Sequence, residues 1–173
     1  MRSCFTLVAC CLGVVLSACS PALNWRDVRP EGTVLVGLLP CTPDHGARVL
    51  PMGAKPVTIT MMGCDANGAT FTLAHVAVQD AGEAATVLTQ WQAATLSTLR
   101  GQTLSALPFP LKGSSAQPAA VQVKAIGVRP DGKPVSLQAA WFAADGRVVQ
   151  VAMYADQVQA EVAEAYFSGL RLP

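Results

Sequence analysis

The chain has 173 residues, of which 51% are hydrophobic, 13% are charged and six are cysteines, and its formal net charge is +1. This length suits one domain, and the composition excludes a disordered or highly charged protein. The near-neutral charge also argues against a nucleic-acid-binding protein, whose basic patch would normally skew the total, so no nucleic-acid partner is predicted.

The N-terminal segment has the pattern of an export signal. Arg2 supplies a positive charge, and the apolar run from Phe5 to Ala18 is shorter than the ~20 residues that a membrane-spanning helix needs. Residues 1–18 are therefore predicted to be a signal peptide. Its removal takes away Arg2 and leaves the mature chain formally neutral, so charge gives it no long-range attraction to anionic lipid.

The end of this run, Leu16-Ser17-Ala18-Cys19, resembles the lipobox of bacterial lipoproteins. The resemblance implies cleavage between Ala18 and Cys19, a diacylglyceryl thioether on the Cys19 thiol, and acylation of the new amino terminus by a fatty acid such as palmitate. The partner of this anchor is a membrane, and Ser20 favours the outer membrane, on its periplasmic face, over the inner membrane. An ordinary signal peptide with a chance cysteine is the alternative.

Two cysteines, Cys41 and Cys64, remain once the signal is removed and Cys19 is lipidated. In the oxidising envelope the simplest expectation is a disulfide between them. Free thiols and a metal site built from Cys41, His45 and Cys64 are the alternatives, although the Cys41-x3-His45 spacing is loose for zinc. No cofactor is predicted.

The segment after the lipidation site is predicted to be a tether over 19–31, followed by a single domain over 32–173. Trp25 in the tether is expected either at the membrane interface or packed against the domain. Within the domain, β-branched residues bounded by glycine and proline predict a strand at 33–39, and turn formers predict a connection at 40–46.

Alternating apolar and polar residues predict two further strands, at 55–62 and 69–78. The turn formers at 63–68 join them as an antiparallel hairpin. His75 falls on the same alternating face as Phe71, which predicts a histidine at the edge of the core with a satisfied hydrogen bond. It is also kept as a candidate binding residue.

A helix is predicted to begin at Asp80, because Asp80 and Glu83 have the spacing of a capping box. Apolar residues at helical spacing continue to about Arg100, and Gly101 suits the position that follows a helix. These apolar residues form one stripe along the helix.

Residues 102–118 are rich in proline, glycine and serine and exceed the usual loop length, which is typical of a functional or mobile segment. Phe109 and Leu111 within it are candidate binding residues that either fold back onto the domain or contact a partner.

Three more strands are predicted at 119–128, 135–143 and 148–155, connected by tight turns as an antiparallel meander. A last helix is predicted to be capped by Asp156 and to end at Gly169. The C-terminal half therefore repeats the order of the first half, with strands followed by a helix.

This order predicts an α+β fold with an antiparallel sheet, in two groups of about three strands, packed with two main helices. The layout resembles the Mog1/PsbP-like α/β sandwich domains over about residues 31–172, through the bend at 39–43 and the closing helix at 165–170 among other pieces. The chain also resembles small uncharacterised proteobacterial lipoproteins with a Pro-Cys bend. The first resemblance implies an assembly or interaction module rather than an enzyme.

Motifs of catalysis and nucleotide binding, namely G-x-S-x-G, H-E-x-x-H, the P-loop and G-x-G-x-x-G, do not occur in the sequence. The leading hypothesis is a lipid-anchored binding or assembly module that faces the periplasm and has envelope proteins as partners, with no catalytic residues. The alternative is an enzyme or small-ligand carrier with a pocket near His75, Trp141 or Tyr154. A purely structural lipoprotein is a third possibility.

Overall fold

The structure is a computed structural model that describes residues 23–52 and 55–173. The predicted cleavage and lipidation sites, Ala18 and Cys19, lie outside these residues. The elements of the described residues are, in chain order, β1 (Arg26–Val28), β2 (Gly37–Leu39), β3 (Asp44–Met52), β4 (Lys55–Ala66), β5 (Ala69–Ala77), α1 (Ala81–Thr98), β6 (Gln102–Pro108), β7 (Val121–Val128), β8 (Pro134–Ala144), β9 (Arg147–Ala155) and α2 (Ala160–Ser168).

In the described part of the chain, seven strands form one antiparallel sheet in the order β3-β4-β5-β9-β8-β7-β6, and β1 pairs with β2 in a separate ribbon. The predicted α+β class, with an antiparallel sheet and two helices, is confirmed. The division into two groups of three strands is wrong, because β5 pairs with β9 along its whole length, from Ala69↔Ala155 to Ala77↔Arg147. That pairing joins both halves of the chain into one sheet.

Both faces of the central strands are covered. Phe71 and Leu73 of β5 belong to the core shared with α2 and the β1-β2 ribbon, whereas Ala74 and Val76 belong to the core under α1. Successive side chains of a strand point to opposite faces. A strand covered on both sides therefore needs apolar residues at most positions, which accounts for the largely apolar sequences of β8 and β9.

The edge strands and the short ribbon differ from the predictions. Only Gly37–Leu39 of the predicted strand 33–39 is a strand, Asp44–Met52 begins inside the predicted connection 40–46, and Gln102–Pro108 opens the predicted loop 102–118. Arg26–Val28 lies within the predicted tether 19–31. Edge strands bury few side chains, so their sequences lack the alternation by which strands are recognised.

The C-terminal end of α1 is a Schellman motif. The Gly101 N–H donates to the Leu96 carbonyl at 2.7 Å and the Arg100 N–H donates to the Ser97 carbonyl at 2.9 Å. Arg100 takes the left-handed conformation, with φ 47°, so the left-handed position falls one residue before the predicted Gly101.

The N-terminal end of α1 has the predicted cap. The Asp80 Oδ1 accepts from the Glu83 N–H at 2.9 Å, while the Glu83 carboxylate accepts from the Gln79 N–H at 2.6 Å. The second helix is capped differently from the prediction: α2 begins at Ala160 with Gln159 at the cap and no side-chain hydrogen bond there. Asp156 lies too early in the chain to reach it.

Asp80→Ala is expected to lower the free energy of unfolding by ~1 kcal/mol, because it leaves a helix N–H without its acceptor. Equilibrium urea unfolding measures the effect. The matched control is Asp156→Ala, which removes an exposed carboxylate 3.3 Å from Arg129 and is expected to have a smaller effect. Equal destabilisation by the two variants contradicts the assignment of Asp80 as the cap.

Candidate functional site

Cys41 and Cys64 are joined in the structure. Cys41, which follows β2, and Cys64, in β4, form a disulfide with their Cα atoms 6.0 Å apart. Both thiols that the alternative metal site needs are therefore in the disulfide, and His45 is an exposed residue of β3. Among the described residues, no group of three or more His, Cys, Asp or Glu side chains is placed to hold a metal ion.

Trp25 packs against the domain. Its ring lies edge-on to Phe71 with centroids 5.8 Å apart and stacks on Tyr166 at 6.4 Å. Of the two positions expected for this tryptophan, the structure shows the one packed against the domain.

His75 is only 5% exposed and lies on the α2 side of β5. Its Nδ1 accepts from the Arg147 Nη1 at 3.3 Å, since a guanidinium has no acceptor to offer. Burial and then the positive charge of Arg147 lower the pKa of His75 below its usual value, although a backbone hydrogen bond with Glu31 opposes this. The position at the core edge agrees with the prediction from the alternation of the strand, but the hydrogen bonding agrees only in part, because the buried Nε2 has no side-chain hydrogen-bond partner among the described residues.

The other residues of the alternative pocket lie on the opposite face of the sheet from His75. Trp141 and Tyr154 belong to the core under α1, whereas His75 is in register with Val149 of the α2 core. Burial raises the pKa of Tyr154 to about 12. The structure therefore does not bring His75, Trp141 and Tyr154 into one pocket.

A groove of about 720 Å³ lies on the α2 side of the sheet, beyond the part that α2 covers. Its floor comes from β7 and β8, and its walls come from α2, the chain after β6 and the C-terminal residues. The side chains that line it include Phe109, Leu111, Lys112, Gln122, Lys124, Gln138, Glu164 and Phe167.

The groove contains both predicted binding residues of the 102–118 segment. Phe109 is held by a hydrogen bond from its N–H to the Ala120 carbonyl, and its ring centroid lies 6.4 Å from Phe142 and 6.2 Å from Phe167. Leu111 packs against the same core. Of the two positions expected for these residues, the structure shows the one folded back onto the domain, where they form an apolar wall.

The floor of the groove is polar and is the part that the sequence analysis missed. Gln138 is only 8% exposed and stands opposite Lys124 across β7 and β8. Its amide has no hydrogen-bond partner among the described residues. The signal in the sequence was a glutamine within the mostly apolar strand β8. Buried amides normally have hydrogen-bond partners, so an amide at such a position indicates a polar contact.

The charge of the groove is mainly positive. Lys112 and Lys124 line it and, among the described residues, neither forms an ion pair. Arg171 also lines it but is held at 2.7 Å by Asp27, and Glu164 is the one acidic residue in the described lining. The groove therefore offers two lysines and an unpaired amide to an acidic group.

Exposed apolar side chains continue the same surface toward the β6 edge. Leu107 is 60% exposed and Ile126 is 43% exposed. Leu107 stands opposite Gln122, and Ile126 is two residues from Lys124, so both share the face of the groove floor. We call this surface, made of the groove with Leu107 and Ile126, the groove face.

No helix of the described chain combines the length and the apolar character needed to cross a membrane. No family model and no curated protein matches the sequence.

Among solved structures, the chain is similar to PA94, a Pseudomonas aeruginosa protein of unknown function, at 13% identity over 76% of this chain and 82% of that chain, with a TM-score of 0.38. It is also similar to the Saccharomyces cerevisiae Ran-binding protein Mog1p, at 12% identity over 87% of this chain and 86% of that chain, with a TM-score of 0.43. Both TM-scores are below 0.5, so no partner or role of either protein is carried over to this chain.

Proposed function

We propose that this chain is a lipid-anchored lipoprotein of the outer membrane that faces the periplasm and acts as a binding module for another envelope protein, without catalysis of its own. The lipobox at 16–19 supports the anchor. The observation that carries the binding role is the groove face, because it joins apolar walls to polar groups that have no partner within the described chain.

The chemistry of the groove face indicates the kind of partner. Lys112, Lys124 and the Gln138 amide suit a carboxylate, while Phe109 and Phe167 suit apolar side chains. The exposed Leu107 and Ile126 lie outside the groove and extend the apolar surface, which fits a protein segment better than a small molecule. The partner is therefore an extended protein segment with acidic and apolar side chains.

The test is photo-crosslinking in native membranes with a photoreactive amino acid at Gln122. A discrete adduct with an envelope protein is expected. Lys124→Glu is expected to reduce the yield of that adduct by about tenfold, which corresponds to about 1.4 kcal/mol of binding free energy. The substitution replaces a cation of the groove with a carboxylate, which repels the acidic side chain of the proposed partner.

Arg48→Glu is the matched control, because Arg48 is an exposed cation on β3, the opposite edge strand of the sheet. It is expected to leave the adduct unchanged. Recovery of the lipoprotein without any protein adduct, or equal yields from the two variants, overturns the proposed binding role.

A further inference from the structure

The described chain is fastened to the domain from Asn24 onward. The Asn24 N–H donates to the Pro40 carbonyl at 2.8 Å, and the Arg26 Nη1 donates to the Thr42 hydroxyl at 2.9 Å. With Trp25 packed between these residues on the core, the connection from Cys19 to the domain ends at Asn24 rather than at the predicted boundary after residue 31.

The connection is short. Asn24 follows Cys19 by five residues, and a chain spans at most ~3.6 Å per residue, so Asn24 lies within ~18 Å of the lipidated residue. This limit holds for every conformation of the intervening residues.

The attachment point belongs to one end of the sheet. Pro40 precedes Cys41, and Cys41 is bonded to Cys64, which lies three residues before the Asn67-Gly68 turn between β4 and β5. The turn between β7 and β8 lies at the same end, since β8 begins beside the last residues of β9. We call this end, with Asn24 and the turns at 67–68 and 129–133, the anchor end.

The opposite end is about one strand length away. It contains the Asp145-Gly146 turn between β8 and β9, which we call the far end. β5 and β9 are paired over nine residues between the two ends, a distance of ~30 Å. Trp25 packs on Phe71, which lies six residues before the end of β5 at Ala77, so Asn24 lies ~20 Å from the far end. If the far end lay on the membrane, even a fully extended connection of ~18 Å would not span that distance.

Resting on the proposed lipid anchor, we propose that the anchor end is a membrane-contacting surface that lies against the lipid headgroups, while the far end points away from the bilayer. The charges at the anchor end are mixed and paired, with Lys133 3.5 Å from Asp131 and Arg129 3.3 Å from Asp156. Charged side chains of this kind remain hydrated among the lipid headgroups and do not enter the hydrocarbon. The attachment to the membrane comes from the acyl chains.

The two hairpin turns provide a matched pair of reporters. Asn67 and Asp145 are both exposed, both precede glycine, and both have positive φ, 49° and 48°. Asn67→Cys and Asp145→Cys therefore impose similar strain, and each adds one thiol to a mature chain whose own cysteines are lipidated or in a disulfide. Each variant is labelled with the same fluorophore and reconstituted in phosphatidylethanolamine/phosphatidylglycerol vesicles that carry a nitroxide on the headgroup.

Severalfold stronger quenching of the label at residue 67 than at residue 145 is expected. Equal quenching, as from a domain lying on its side, or stronger quenching at residue 145 overturns the proposed orientation. The mass of the purified protein is measured first. A lipidated Cys19 with equal quenching refutes the orientation alone, whereas a Cys19 without lipid refutes the anchor and the orientation together.

A longer connection supplies the second measurement. Insertion of about 15 Gly/Ser residues after Ser20 adds ~50 Å to the maximal reach, more than the length of the sheet. The difference in quenching between the two labels is expected to shrink in this variant. An unchanged difference contradicts the claim that the short connection sets the orientation.

Discussion

Replacement of both Cys41 and Cys64 by alanine is expected to lower the free energy of unfolding by about 3 kcal/mol. The disulfide joins residues 23 apart in the sequence, and in the chain-entropy description a loop of this size restricts the unfolded chain by roughly that amount. The bond also ties the segment that follows β2 to β4 of the large sheet. Equilibrium urea unfolding under oxidising conditions measures the loss.

Reduction of the wild-type protein is the control. A thiol reductant is expected to lower the stability of the wild-type chain toward that of the double variant and to leave the double variant unaffected. If the reductant destabilises both proteins alike, or if the oxidised wild type is no more stable than the variant, the disulfide does not supply this stabilisation.

Cys19→Ala is expected to abolish incorporation of labelled fatty acid and to leave the uncleaved precursor. Only a thiol at this position can form the thioether that the resemblance to the lipobox implies. Metabolic labelling followed by gel analysis of membrane fractions measures both effects, and complete loss of label is expected.

The matched control for this experiment is Cys11→Ala, which removes a cysteine from the same apolar run but leaves the sequence at 16–19 intact. It is expected to be labelled and cleaved as the wild type is. Normal labelling and cleavage of Cys19→Ala would refute lipidation at this residue and, with it, the membrane attachment.

The sequence predicted the apolar wall of the groove but not its polar floor. Phe109 and Leu111 stand out as apolar residues in a segment rich in proline and glycine, which is a local signal. Lys124 and Gln138 lie in different strands and become neighbours only because β7 pairs with β8 in that register. Whether their polar groups have partners depends on how far α2 covers the sheet, which neither strand encodes alone.

Local patterns in the sequence predict the central strands, the Asn67-Gly68 and Asp145-Gly146 turns and the Asp80 cap of α1, all of which the structure contains. These features depend on neighbouring residues, through alternation, backbone preference and short hydrogen bonds. Tertiary packing, in contrast, sets the pairing of β5 with β9, the positions of β3 and β6 at the sheet edges, and the attachment of Asn24 at one end of the sheet. These arrangements follow from burial and pairing between residues far apart in the chain, for which no local pattern exists.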